Sequence, residues 1–159
     1  PRLRPQPLAR LSLIAMDLQH ILQRLRDQLA DLALREIEPA PGLDAALRTS
    51  RTTPAVYLLP LSEKGRGLDH TGEVDQLEHR LFAVLQVVDV MAPDGTPGVV
   101  DLTTLRRRVK QALIGFVPDT SMGDPILFVG GELVQFEGDG RLWWSDEFGF
   151  TGYYDRSNP

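Results

Sequence analysis

The sequence contains no cysteine. That removes disulfides, thiolate metal ligation and a cysteine nucleophile together, and it suits a chain that folds in a reducing compartment. Histidine is almost as scarce, with His20, His70 and His79 the three present. Long apolar runs are missing too: none approaches the ~18 residues that signal a membrane span. Residues 1–15 hold Arg2, Arg4 and Arg10 and lack the uncharged apolar core and small-residue cleavage site of a secretory signal. No membrane partner is expected.

The constellations that carry catalysis are equally thin. A serine or threonine nucleophile needs a base that a third group orients. His20 lies beside an apolar helix stripe and His79 alternates with charged neighbours, so surface or packing roles fit both. His70 stands in a loop between Asp69 and Glu73, but no second ligand pair elsewhere completes a metal site. Glu132, Glu137, Asp146 and Glu147 surround a turn without a spacing that singles out two facing carboxylates. Gly130-Gly131 sits inside a strand pattern rather than between a strand and a helix, which points to a bulge or close backbone approach and not to a phosphate loop. The expectation is a protein without enzymatic activity, catalytic residues, metal or cofactor.

What is present fits one compact domain. The chain has 159 residues, 42% hydrophobic and 25% charged, enough apolar material for a core and no sign of overall disorder. Pro1, Pro5 and Pro7 between arginines read as an extended arm over 1–15, with the domain proper over 16–159. Leu18, Ile21, Leu22, Leu25, Leu29 and Leu32 recur at three- and four-residue steps and predict an amphipathic helix. Ile37 begins a short apolar connection broken by Pro39, Pro41 and Gly42, and 43–47 adds one helical turn.

Residues 55–61 read as an interior strand whose end Pro60 turns into an edge or bulge. A polar loop over 62–72 and a long strand over 73–90 follow, polar at first and apolar on both faces from Phe82. Asp101 caps a second helix through Phe116, which Gly115 and Pro118 end. Two further strands, 126–136 and 142–150, flank the hairpin signal Gly138-Asp139-Gly140. The expected fold is α+β: a mainly antiparallel sheet packed against two helices, with a long projecting β-hairpin around 62–76.

Charge and aromatic placement supply the candidate contact residues. From Asp119 onward eight acids face two arginines, whereas residues 1–15 carry no acid, a polarity suited to complementary contacts between subunits. The polar loop offers Glu63, Lys64, Arg66, Asp69 and His70. The run Arg106, Arg107, Arg108 and Lys110 spreads around the second helix as a solvated face or a docking surface for an acidic partner; nothing beside it reads nucleic-acid bases. Alternation cannot bury Trp143 and Trp144 on one face, so one of them belongs either to a second packed layer or to a protein contact, for which Trp143, Tyr153 and Tyr154 are the candidates.

This order of segments resembles bacteriophage tail terminator and tail-completion proteins of Mu-like and lambda-like phages. The local phrases that carry the resemblance are Met16-Asp17-Leu18 opening the helix, the strand from Thr53 to Leu61, the return strand from Gln76 to Val88, and Gly115-Phe116-Val117-Pro118. The strand from Phe128 to Val134 and the closing strand from Trp144 to Tyr154 complete them. The resemblance implies a structural virion protein, assembled in the host cytoplasm, that forms a homohexameric ring at the head-proximal end of the tail. There it would end tube polymerisation and provide the head-attachment surface. Its implied partners are further copies of itself, the tail tube protein and the head–tail connector or neck protein, with nucleic acid met only in passage through the channel. A head–tail joining protein, or a small-molecule-binding or enzymatic α+β domain, remains the alternative.

Overall fold

The computed structural model describes residues 18–49, 53–67, 76–90, 100–118, 123–138 and 140–154. They form helix α1 (Gln19–Gln28), strand β1 (Glu36–Pro39), helix α2 (Leu43–Thr49), strands β2 (Ala55–Gly67) and β3 (Gln76–Asp89), helix α3 (Leu102–Leu113), and strands β4 (Leu127–Phe136) and β5 (Arg141–Tyr154). One five-stranded sheet runs in the order β1-β2-β3-β5-β4. Its pairs are antiparallel except β1 with β2, which is parallel. The fold is α+β.

The apolar stripe of α1 does what its spacing dictates. Leu18, Ile21, Leu22, Leu25 and Leu29 are all buried, and each fully buried side chain of this kind contributes roughly 1.5–3 kcal/mol. The helix stops at Gln28, short of the expected Leu32, because Arg108 of α3 captures its end. The guanidinium donates to the Gln28 carbonyl at 2.9 Å and to both oxygens of Asp31 at 2.9 and 2.6 Å, meeting carbonyls a helix end leaves open.

The stretch from Ile37, expected as a connection, is the strand β1. Its four residues, Glu36 to Pro39, pair with β2; Pro39 has no N–H, and Ala40 donates to Leu58 O. The 62–72 loop is also shorter than expected, since Ser62–Gly67 continues β2 and pairs residue for residue with the polar half of β3. A register shift between Pro60 and Ser62 is the bulge that Pro60 imposes. Because β5 pairs with β3 from Gln76 to Asp89, the expected projecting hairpin is the outer end of a three-stranded ladder; residues 68–75 lie outside the described ones.

Two cores lie on opposite sides of the sheet. Val56, Leu58, Phe82, Val84, Phe148 and Phe150 meet α1 and α3 on one side. On the other, Tyr57, Leu59, Leu85 and Trp143 pack with Ala40 and with Ala46 of α2, the Tyr57 and Trp143 rings stacking at 6.4 Å. Helix α3 begins as its sequence requires, with the Asp101 side chain accepting from Thr104 N at 3.3 Å. It ends at Gly115, whose φ of +87° is a conformation glycine adopts freely.

Candidate assembly surfaces

The densest polar network lies where α3 crosses β4 and β5. Leu142, Trp144, Asp146, Phe148 and Phe150 alternate on one face of β5, so Asp146 is carried into the helix-covered side with the core. Its side chain is 0% exposed. Four groups satisfy it: Arg106 Nε at 3.0 Å and Nη2 at 2.9 Å, Trp144 Nε1 at 3.0 Å, and Gln86 Nε2 at 2.7 Å. The Arg106 guanidinium also stands 4.4 Å from the Trp144 ring centroid. Beneath the cluster is Gly131, where a Cβ would collide with Asp146 Oδ1 and come within 3.0 Å of Arg106 Nη2 and Trp144 Nε1. The expected glycine bulge and close approach are therefore both here, the register shift falling between Phe128 and Gly130.

The basic run on α3 is mostly committed inside the subunit. Arg106 binds Asp146 and Arg108 binds Asp31, whose carboxyl those hydrogen bonds and that charge hold below its ordinary range. Lys110 Nζ lies 4.0 Å from the Phe128 ring centroid, while Arg107 is exposed. Together with Thr103, Gln111 and Ile114, three of these cations line an open groove of about 510 Å3 along the outer flank of α3.

Alongside that groove runs β4, exposed along most of its length. Leu127, Val129, Leu133 and Phe136 are 63%, 54%, 54% and 58% exposed. This surface is not legible in the sequence, because an apolar strand reads as interior until its pairing shows that it is the edge.

On the outer ladder, alternation sorts the charges. Glu63, Glu78 and Arg80 share one face, where Arg80 bonds Glu63 at 2.9 Å and Glu78 at 2.5 Å. Burial alone would loosen the Arg80 proton, but the hydrogen bonds and charges of the two glutamates outweigh it and raise its pKa. Lys64 and Arg66 point to the other face, opposite His79 and Leu77, and both are exposed. His79 Nδ1 lies 3.1 Å from Thr151 Oγ1.

The remaining candidates separate. Trp143 is no surface residue: it is 0% exposed in the second core, with Nε1 donating to Glu137 at 3.1 Å. Trp144 is half-buried beside Arg106. Tyr153 and Tyr154 pair with Leu77 and Gln76 at the end of β5; their side chains, like Asp69 and His70, fall outside what is described. Among the described residues no group of three or more metal-ligating side chains converges, and no helix is long and apolar enough to cross a membrane.

The marked features of this α+β chain are surfaces: an apolar sheet edge, a basic helix flank and a charge-sorted ladder. The family model for phage tail terminator proteins matches residues 12–157, and the chain belongs to that family. It is a structural protein of the phage tail, and its place is the virion. No curated protein matches it. Among solved structures it is similar to a chain from the virion of a native gene transfer agent particle, at 12% identity and a TM-score of 0.44, covering 84% of this chain and 95% of that one.

Proposed function

We propose that this chain is the subunit that closes the tail: it forms a homohexameric ring on the head-proximal end of the tube, stops tube polymerisation, and presents the surface to which the head attaches. The observation that carries the reading is the family match over residues 12–157. The surfaces support it. A ring subunit needs two unlike patches for its neighbours and others for the tube below and the connector above, and the apolar β4 edge and the basic side of the outer ladder differ in this way. In this reading Lys64, Arg66, Asp69 and His70 contact an adjoining ring or the channel, Arg107 and Lys110 contact another subunit, and residues 1–15 dock on a neighbour.

Purified protein added to polymerising tube subunits tests this. The expected result is a halt in elongation, with protein seen at one end of each tube. Tubes that grow unchanged with the protein bound along their length, or not at all, would contradict it.

A further inference from the structure

Among the described residues the sheet has two open edges of opposite character. Edge β1 is guarded: it is four residues long, carries Glu36 and Glu38, and ends at Pro39. Edge β4 is less guarded. It is ten residues long and hydrogen-bonded to β5 on one side; it bears no lysine, arginine or proline, Glu132 is its one charge, and two register shifts interrupt its ladder. Its exposed apolar groups lie on both faces, since Leu127 pairs with Gly149 while Leu133 and Phe136 pair with Trp144 and Leu142. A long edge with this much exposed apolar surface is an aggregation hazard unless another chain covers it.

We propose that the β4 edge is the surface through which one copy receives the next, and that its occupant is the β1–α1 edge of a second copy. The proposal rests on the ring reading above. Joining β4 to β4 would give a two-fold pair and go no further, whereas a ring requires unlike patches. The two edges lie at opposite ends of the sheet, four strand spacings or roughly 19 Å apart. Charge favours the same match. Among the described residues the groove beside β4 is lined by Arg106, Arg107 and Lys110 and by no carboxylate, and Arg106 is held by Asp146.

At the far end, on the same side of the sheet, α1 presents Asp27. It accepts from Gln23 at 2.8 Å and belongs to none of the ion pairs among the described residues. Glu38 there stays 54% exposed although it pairs with Arg26. With the sheets continued head to tail, the basic flank of α3 faces the acidic flank of the next copy's α1. The apolar β4 side chains form the dry centre of the contact.

The absence of cysteine makes the test clean. In a variant carrying both Leu133→Cys and Glu38→Cys, the new thiols stand on opposite edges of the sheet, roughly 19 Å apart and beyond the reach of a short linker within one chain. Treatment of the assembled protein with a short bismaleimide is expected to give a ladder of covalent multimers, with each single variant remaining a monomer on the gel. In parallel, Leu133→Asp with Phe136→Asp is expected to weaken ring formation by native mass measurement roughly tenfold or more, with the melting temperature unchanged.

Wild-type rings without the crosslinked ladder, or rings that survive the double aspartate variant, would overturn the proposal and leave the ring reading standing. Rings that survive while tube binding is lost would assign the edge to the tube protein, which also overturns it. A wild-type chain that stays monomeric both alone and on tube ends would remove the ring reading and the proposal together.

Discussion

Arg106 closes on Asp146 with two N–H groups, at 3.0 and 2.9 Å, and this ion pair is the reason residue 131 is glycine. Any Cβ at 131 would enter the space the carboxylate and guanidinium share. Replacement of Gly131 by alanine is expected to destabilise the fold by about 1–3 kcal/mol, the usual penalty of overpacking. At Gly130, where nothing lies within 4 Å, the same change should fall within about 0.5 kcal/mol. Thermal melts of the two variants check the contrast, and equal melting temperatures would show that the cluster does not dictate the glycine.

The pair itself should respond unequally to loss of either partner. Arg106→Gln leaves a 0% exposed carboxylate whose remaining partners among the described residues are Trp144 and Gln86, and is expected to destabilise by about 3–5 kcal/mol. Asp146→Asn leaves the arginine, 27% exposed, within reach of water and should destabilise by about 1–3 kcal/mol. Urea unfolding of both variants measures the difference. The reverse order would mean that the guanidinium, not the carboxylate, is the group the fold shelters.

The placement of Asp146 was partly legible in the sequence. Leu142, Trp144, Asp146, Phe148 and Phe150 keep a two-residue period, and a carboxylate inside such a series needs a buried partner. What the period cannot supply is the identity of that partner, because Arg106 lies forty residues away on a helix whose crossing angle is set by packing. The stripes of α1 and α3, the Asp101 cap and the glycine turn before β5 follow from local chemistry and stand out in the sequence.

Strand β1 does not, since four residues with a proline carry no usable period. Nor does the polar half of β2: Ser62–Gly67 looks like a loop until the equally polar 76–81 pairs with it. The exposed β4 edge is the deepest case, because only the strand order separates an interior apolar strand from an edge.

On the outer ladder, reversal of the two free cations should separate assembly from folding. Lys64→Glu with Arg66→Glu changes exposed groups that take part in no ion pair among the described residues, so the melting temperature should move little. If this face meets an acidic partner, phage titre should drop roughly tenfold or more as the contact becomes repulsive. An unchanged titre would remove the ladder from the list of contact surfaces.

The Asp31–Arg108 contact gives a small acid-sensitive contribution. The Asp31 carboxyl titrates below its ordinary range because of the arginine's hydrogen bonds and charge. A depressed folded pKa means the contribution is present above the unfolded value and is lost as pH falls through the folded one. Wild type and Asp31→Asn should therefore differ in melting temperature at neutral pH and converge on acidification. Both groups are well solvated, so the difference should also shrink with added salt; a gap that widens toward low pH would contradict the assignment.

The most direct test of the central claim is electron microscopy of lysates from phage lacking this gene. The account predicts tails of uncontrolled, excessive length, because nothing stops the tube at its head-proximal end. Tails of normal length lying free beside filled heads would contradict it and make the protein a joining component instead.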